Sequence, residues 1–305
     1  MSLIFSCCLP AVFTGCSTGI EGTKAIKYSK GVKKENMPSP EEKFISGIES
    51  IRLKDWKQGR RFMFIDDRAS LVFESDAPRS ELASLKGKRV EYSGTERRIT
   101  PGGVEQAVVR FSDGIYTYSY PTGKLPTESD TLLTSLDFPM LADLATVDQY
   151  RRLLQGVSLW TRNSLWYDDD GEKIRGRRFV KVIIDSVSTG QNGFLMDLSI
   201  RDENGDRAHI YMNPVNRGLE SRTFPSLFLL TDPRERHTSI SDEVWDLICR
   251  GLVRPGMTKE ECKLALGNPD DVNTAHDWNQ TIDIWNYNNG TFLHFQDGLL
   301  TKFRI

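Results

Sequence analysis

Four histidines, His209, His237, His276 and His294, are the side chains in this 305-residue chain best suited by type to move protons near neutral pH. None has a catalytic partner at a recognisable spacing. H-E-x-x-H, G-x-S-x-G, Cys-x-x-Cys and a phosphate-binding loop are all missing, so metal-assisted hydrolysis, acyl transfer and nucleotide chemistry lack their usual signatures. Asp202-Glu203-Asn204-Gly205-Asp206 starts like a calcium loop but lacks the distant bidentate glutamate, and reads as a hairpin turn. Asp168-Asp169-Asp170-Gly171 reads as a charged turn between strands, with three adjacent carboxylates suited at most to weak binding of a divalent cation. His276 and Asp277 beside Trp278 read as a loop pair. The expectation is a protein that is not an enzyme and has no metal and no cofactor.

Cys16 is the one residue whose surroundings specify a covalent chemistry. Residues 3–13 are an apolar run of signal-peptide length, too short to span a bilayer, and Phe13-Thr14-Gly15-Cys16 follows it. Small residues ahead of a cysteine look like a bacterial lipobox, in which the cysteine is acylated and becomes the new N-terminus. No Lys or Arg precedes the run, and Phe13 stands where leucine is commoner. The alternative is a short buried strand or helix. Residues 17–40 carry Gly19, Gly22, Gly31 and five lysines, Lys24, Lys27, Lys30, Lys33 and Lys34, without apolar periodicity. That composition makes a solvated tether. Against an anionic surface each lysine would contribute up to about 1 kcal/mol. Ser17 is not the aspartate that retains some lipoproteins in the inner membrane, so the expected address is the outer membrane, facing the periplasm.

The formal net charge is −2, and no basic stripe lies outside the tether, which argues against a nucleic-acid partner. If Cys7 and Cys8 leave with the signal peptide and Cys16 is acylated, Cys249 and Cys262 remain. In a compartment that permits disulfides they are either bridged or two separate core thiols.

Elements must position whatever binds, and the clearest lie near the C-terminus. Thr258 and Glu261 form a capping box, Gly267 suits the left-handed position after a helix, and Pro269 blocks continuation, so a helix of about two turns is expected between them. It is too short to stand alone, so Cys262, Ala265 and Leu266 must dock. Val244, Trp245, Ile248 and Leu252 mark a preceding helix after Ser241, closed by Gly251. Residues 282–287, 291–295 and 299–305 read as strands separated by Asn288-Asn289-Gly290 and Gln296-Asp297-Gly298.

This tail resembles the BamE-like (SmpA/OmlA) family of outer-membrane lipoproteins, whose fold is shared with β-lactamase-inhibitor proteins. The likeness rests on Gly256-Met257-Thr258-Lys259-Glu260-Glu261, Leu266-Gly267-Asn268-Pro269-Asp270, Trp285-Asn286-Tyr287, and the run from Leu293 through His294, Phe295, Gln296, Asp297 and Gly298 to Leu299. Cys262 stands where an aliphatic residue is commoner. The resemblance covers the C-terminal domain alone and implies a helix pair on a three-stranded antiparallel meander, an envelope address and a scaffolding role.

In the last strand, alternation sets Leu299, Thr301, Phe303 and Ile305 against Leu300, Lys302 and Arg304, and the first set is expected to cover the helices. Phe292 and His294 are then expected outside, beside Lys302 and Arg304. For the first strand either Ile282 and Ile284, or Trp285 and Tyr287, face water. Trp285, Tyr287, Phe292, His294, Lys302 and Arg304 are therefore the candidate partner-binding residues, unless the preceding module covers this face.

Upstream, Ser39-Pro40-Glu41-Glu42 and residues 146–149 read as helix starts, each preceding a comparable run of strands. Residues 68–73 match 162–167, residues 85–90 match 174–179, and the turns Ser112-Asp113-Gly114 and Asn204-Gly205-Asp206 precede aromatic strands with Tyr116, Tyr118 and Tyr120, or His209 and Tyr211. A period of about 90 residues suggests a diverged duplication. The expected fold is mainly β with short helices (α+β). It comprises a signal peptide (1–16), a tether (17–40), two SH3-like modules of about five strands (41–125 and 126–235) and the BamE-like domain (236–305). The expected function is a lipid-anchored adaptor that binds envelope proteins. The alternative is binding of cell-wall peptide or glycan, with peptidoglycan as partner.

Overall fold

The structure is a computed structural model and describes residues 37–216, 222–277 and 280–305. Cys16, with the lipobox expected there, and nearly all of the expected tether lie outside the described residues. Residues 38–305 form one compact unit built on three antiparallel sheets with short helices, a mainly β, α+β fold.

Helix α1 (Pro40–Ile45) begins at the Ser39–Glu42 capping box, with both reciprocal hydrogen bonds present. The first sheet comprises β1 (Arg61–Phe64), β2 (Glu74–Ser75), β3 (Arg89–Ile99), β4 (Glu105–Ser112), β5 (Thr117–Pro121) and β6 (Leu141–Asp143), in the spatial order β2-β5-β4-β3-β1-β6. Helices α2 (Arg79–Leu82) and α3 (Pro126–Leu132) interrupt the run. The sheet's inward side chains form an aromatic core in which the Trp56 ring lies 4.9 Å from Phe62, 5.2 Å from Tyr92 and 5.3 Å from Phe138.

After α4 (Leu144–Leu154), the second sheet takes β7 (Ser158–Thr161), β8 (Leu165–Tyr167), β9 (Lys173–Arg175), β10 (Lys181–Thr189), β11 (Met196–Asp202), β12 (Arg207–Met212) and, beyond α5 (Phe224–Leu227), β13 (Phe228–Leu229). Its order is β13-β7-β10-β11-β12-β8-β9. Read against the first sheet, β8, β12, β11, β10, β7 and β13 repeat β2, β5, β4, β3, β1 and β6 one for one. Phe62 pairs with Val90 as Leu159 pairs with Val182. Three residues on, each sheet has a β-bulge, between Tyr92 and Gly94 in one and between Ile184 and Ser186 in the other. The extra residue shifts the inward parity, so Val182 and Ile184 are followed inward by Val187.

Several expectations need correction. The boundary at 125/126 falls inside the first unit, because β6 pairs with β1. Helix α1 stacks Phe44 on Phe224 at 5.6 Å and so serves the second core. The sheets have six and seven strands rather than about five. Residues Asp67–Leu71 form a 3₁₀ turn capped by Asp66, so the counterpart of β8 is β2 and not 68–73. The match of residues 85–90 to 174–179 is three residues out of register, since Val90 is equivalent to Val182 and not to Phe179. Helix α4 is capped by Asp143, which accepts from the Ala145 N–H and the Thr146 hydroxyl; Thr146 therefore lies in the first turn.

Among the described residues, no helix is long and apolar enough to cross a membrane.

Candidate interaction face of the C-terminal sheet

Helix α6 (Asp242–Cys249) starts at Ser241, whose hydroxyl accepts from the Val244 N–H, and Gly251 follows it at φ +66°. Helix α7 (Lys259–Leu266) starts at the Thr258–Glu261 capping box and ends at Gly267, φ +91°. The Tyr287 hydroxyl donates to the Gly267 carbonyl at 3.2 Å, tying the helix end to the sheet. That sheet has four strands, β14 (Asp271–Asp277), β15 (Gln280–Asn286), β16 (Phe292–Gln296) and β17 (Leu299–Arg304), in sequential order. The additional strand β14 is polar, and residues 271–276 are exposed.

The inner face carries Asp283, Trp285, Leu293, Phe295 and Leu300, all buried, against Ile248, Met257, Cys262 and Ala265. Trp285 and Phe295 rings lie 4.7 Å apart. Burying each such side chain stabilises by roughly 1.5–3 kcal/mol, which is how an eight-residue helix persists. Asp283 is the one inward charge on these strands. Its ion pair with Lys259 and the Thr274 hydroxyl hydrogen bond at 2.6 Å hold its carboxyl below the usual range.

Trp285 and Tyr287 are therefore not surface residues. Trp285 is buried and Tyr287 half-buried on the helix side, where burial pushes its hydroxyl up to about 12. The set facing outward is Ile282 and Ile284. In the last strand the expected alternation fails, because a bulge at Thr301 sits between the pairs His294–Lys302 and Phe295–Leu300. Leu300 is buried, whereas Leu299, Phe303 and Ile305 are 47%, 40% and 63% exposed.

Beyond the bulge, which shifts the register by one residue, Phe292 lies opposite Arg304, and His294 opposite Lys302. Ile284 is the partner of His294 across β15, and Asn286 of Phe292. The outer face is thus an apolar centre of Ile282, Ile284 and Phe292 with His294, Lys302 and Arg304 toward one edge. His294 Nδ1 contacts the Thr301 hydroxyl at 2.8 Å, and Arg304 reaches the Gly290 carbonyl at 3.4 Å. Ile282, Ile284 and Phe292 belong to none of the three buried cores. The edge beyond β17 is partly occupied. Gly256 N–H donates to the Leu300 carbonyl at 2.8 Å, and Leu300 N–H donates to Met257 at 2.7 Å.

The second β unit docks on the opposite side. Arg178 N–H donates to the Cys249 carbonyl at 2.9 Å, its guanidinium to the Leu264 carbonyl at 3.0 Å, and Phe179 stacks on Trp245 at 5.7 Å. These contacts place the second β unit against the helices, on the side of the C-terminal domain away from Ile282, Ile284 and Phe292.

Cys249 and Cys262 are both free and buried, with no bridge between them. Burial pushes their thiols up to about 11 and about 12, so neither is reactive at neutral pH. Sequence reading missed one histidine environment. His209 lies between Asp197 and Asp169, residues 12 and 40 positions away that no local spacing connects. Its Nδ1 is 2.8 Å from Asp197 and its Nε2 3.0 Å from Asp169. His237 lies 3.5 Å from Glu260 and packs on Trp245, while His276 contacts Thr281.

No protein-family model, no curated protein and no solved structure matches the chain.

Proposed function

We propose that this chain is a non-enzymatic, lipid-anchored lipoprotein of the outer membrane that acts as a protein-interaction adaptor in envelope assembly or maintenance, and that its partner binds the outer face of the C-terminal sheet. The observation that carries the reading is that Ile282, Ile284, Phe292, His294, Lys302 and Arg304 share one face of the C-terminal sheet, the three apolar ones half-buried and outside all three cores. An apolar centre with a cationic margin fits a protein surface presenting apolar side chains beside carboxylates. The lipobox at Cys16 and the BamE-like likeness of the tail supply the address and the scaffolding role. Trp285 and Tyr287 support the face from behind.

A second reading, binding of cell-wall peptide or glycan by the SH3-like units, is favoured by one observation. An open cleft of about 720 Å³ on the first unit is lined by the polar Gln58, Arg61, Arg89 and Glu91 together with Val90 and Tyr92, among others. Affinity capture from membranes with the lipidated full chain separates the two. Phe292→Ala combined with Arg304→Glu is expected to lose the captured envelope protein while stability changes by no more than about 1 kcal/mol. Retention of the partner by that variant overturns the adaptor site, and capture of wall polymer unaffected by it supports the second reading.

A further inference from the structure

Two carboxylates contact the two ring nitrogens of His209, and that geometry has one consistent protonation state. Carboxylate oxygens accept only, so both Nδ1 and Nε2 must carry protons for both contacts to be hydrogen bonds. A neutral imidazole has one N–H. Asp197, on β11 across from Tyr211, is mostly shielded, with its side chain 20% exposed, whereas Asp169, in the β8–β9 turn, is 97% exposed. The single proton of the neutral ring therefore stays on Nδ1 with Asp197, and Nε2 then turns a lone pair toward the Asp169 carboxylate. A hydrogen bond becomes a repulsion.

The turn that carries Asp169 lies over a cleft between the two β units. This cleft, about 320 Å³, is lined from the first unit by Met63, Phe64, Lys86 and Gly87 and from the second by His209, Gln191 and Tyr211, among others. Lys86 crosses it to Gln191 at 2.6 Å, and Gln191 donates on to the Tyr211 hydroxyl. Gly171 seats the turn directly on this chain of bonds, since a Cβ there would fall 2.3 Å from Gln191 Nε2. The titratable and charged groups around the imidazole are Asp197 on β11, Asp168 and Asp169 in the turn, Tyr167 on β8, Arg207 and Tyr211 on β12, and Lys86 from the first unit.

The fold does not require the arrangement. In the first unit the positions equivalent to Asp197 and His209 are Val108 and Ser119, and β2 is followed by no hairpin, yet the strand order is the same.

We propose that the β8–β9 turn is a proton-controlled strap, clamped over the cleft between the units while His209 is charged and released from Asp169 when His209 is neutral. Burial alone would lower the His209 pKa, but Asp197 and then Asp169 outweigh it and leave it above the ordinary histidine value. For a folded pKa raised above the unfolded one, the stabilisation is complete below about pH 6.5 and is lost as pH rises through the raised value. The strap is thus closed in mildly acid conditions and opens toward the alkaline side.

The test is amide exchange of residues 168–172 in the full chain, corrected for intrinsic rates, alongside an NMR titration of the His209 ring. Protection at Gly171 and Glu172 should fall by about threefold between about pH 5 and about pH 8.5, the range an exposed ion pair supports. Asp169→Ala should remove that dependence and lower the His209 pKa, and Asp170→Asn, one residue along, should leave both unchanged. Asp169→Asn should invert the dependence, because an amide N–H can donate to the neutral Nε2. Protection that does not follow the His209 titration in the natural chain, or that follows it equally in Asp169→Ala, overturns the strap.

Discussion

The two β units share a strand order, a bulge and a hydrogen-bonding register, but they fill the same positions with different chemistry. Phe62, Tyr92, Phe111 and Tyr118 in the first are answered by Leu159, Ile184, Ile200 and Ala208 in the second, and all eight are buried. One core is a net of ring contacts around Trp56. The other is aliphatic at the matching strand positions, holds its rings Trp166, Phe224 and Phe228 elsewhere, and takes Val147, Tyr150 and Leu154 from α4 as cover. Topology is therefore carried by which positions face inward and by where the parity shifts, while the shapes that fill the interior have drifted. The hairpin tips differ as well. The β10–β11 tip rests on the first unit through Thr189 to Met63 and Gln191 to Lys86. The equivalent β3–β4 tip leaves Ile99 and Val104 70% and 62% exposed.

The largest effect should come from the ring net. Phe111→Ala removes a side chain in contact with five other rings and is expected to cost about 4 kcal/mol by chemical denaturation, against about 3 kcal/mol for Ile200→Ala. A loss below about 1 kcal/mol at Phe111 would show that the aromatic core is loosely packed and that the contrast is superficial. The bulges give a middle-sized effect. Gly94 has φ +137°, a conformation that L side chains resist, although nothing lies within 4 Å of a Cβ built there. Ser186 holds the equivalent place without positive φ. Gly94→Ser should therefore cost about 1–2 kcal/mol through the backbone alone, and Ser186→Gly less than about 1 kcal/mol. Equal costs would mean that the two bulges are the same in detail. The smallest effect belongs to the tips. Val104→Ser should shift the melting temperature hardly at all, within about 0.5 kcal/mol, whereas Gln191→Ala, which breaks the bond from Lys86, should cost about 1 kcal/mol. A larger loss at Val104 than at Gln191 would reverse the assignment of free and docked tips.

What could be read from the chain was what is encoded within a few residues. Ser39, Ser241 and Thr258 announce their helices because a cap is a local hydrogen bond, and Gly267 announces an end because glycine takes the positive φ there that other residues resist. The duplication was legible from turns and glycines, but its register was not. The bulges at Ser93, Asp185 and Thr301 insert a residue whose only sign is a change of inward parity, and alternation carried through Thr301 puts Leu299 inside instead of Leu300. Strand β14 lacks the signal altogether, since an edge strand exposed along its length has no reason to alternate. The outward placement of Phe292 and His294 beside Arg304 and Lys302 was legible because all four lie beyond the bulge, at the end of the hairpin away from the turn, where plain alternation holds in both strands. The company of His209 was not, because Asp197 and Asp169 reach it through strand pairing across the sheet.

The two hydrogen bonds that Leu300 makes with Gly256 and Met257 also protect the molecule at high concentration. A terminal strand with leucines and a phenylalanine, paired on one side only, is a template onto which another chain can add and from which fibrils grow. Here the segment leading into α7 occupies that open side at Leu299 and Leu300, and the Thr301 bulge interrupts the regular spacing of the groups that remain. The chain is thus guarded against strand-by-strand aggregation by its own preceding loop, and that guard holds only while the segment leading into α7 stays in place.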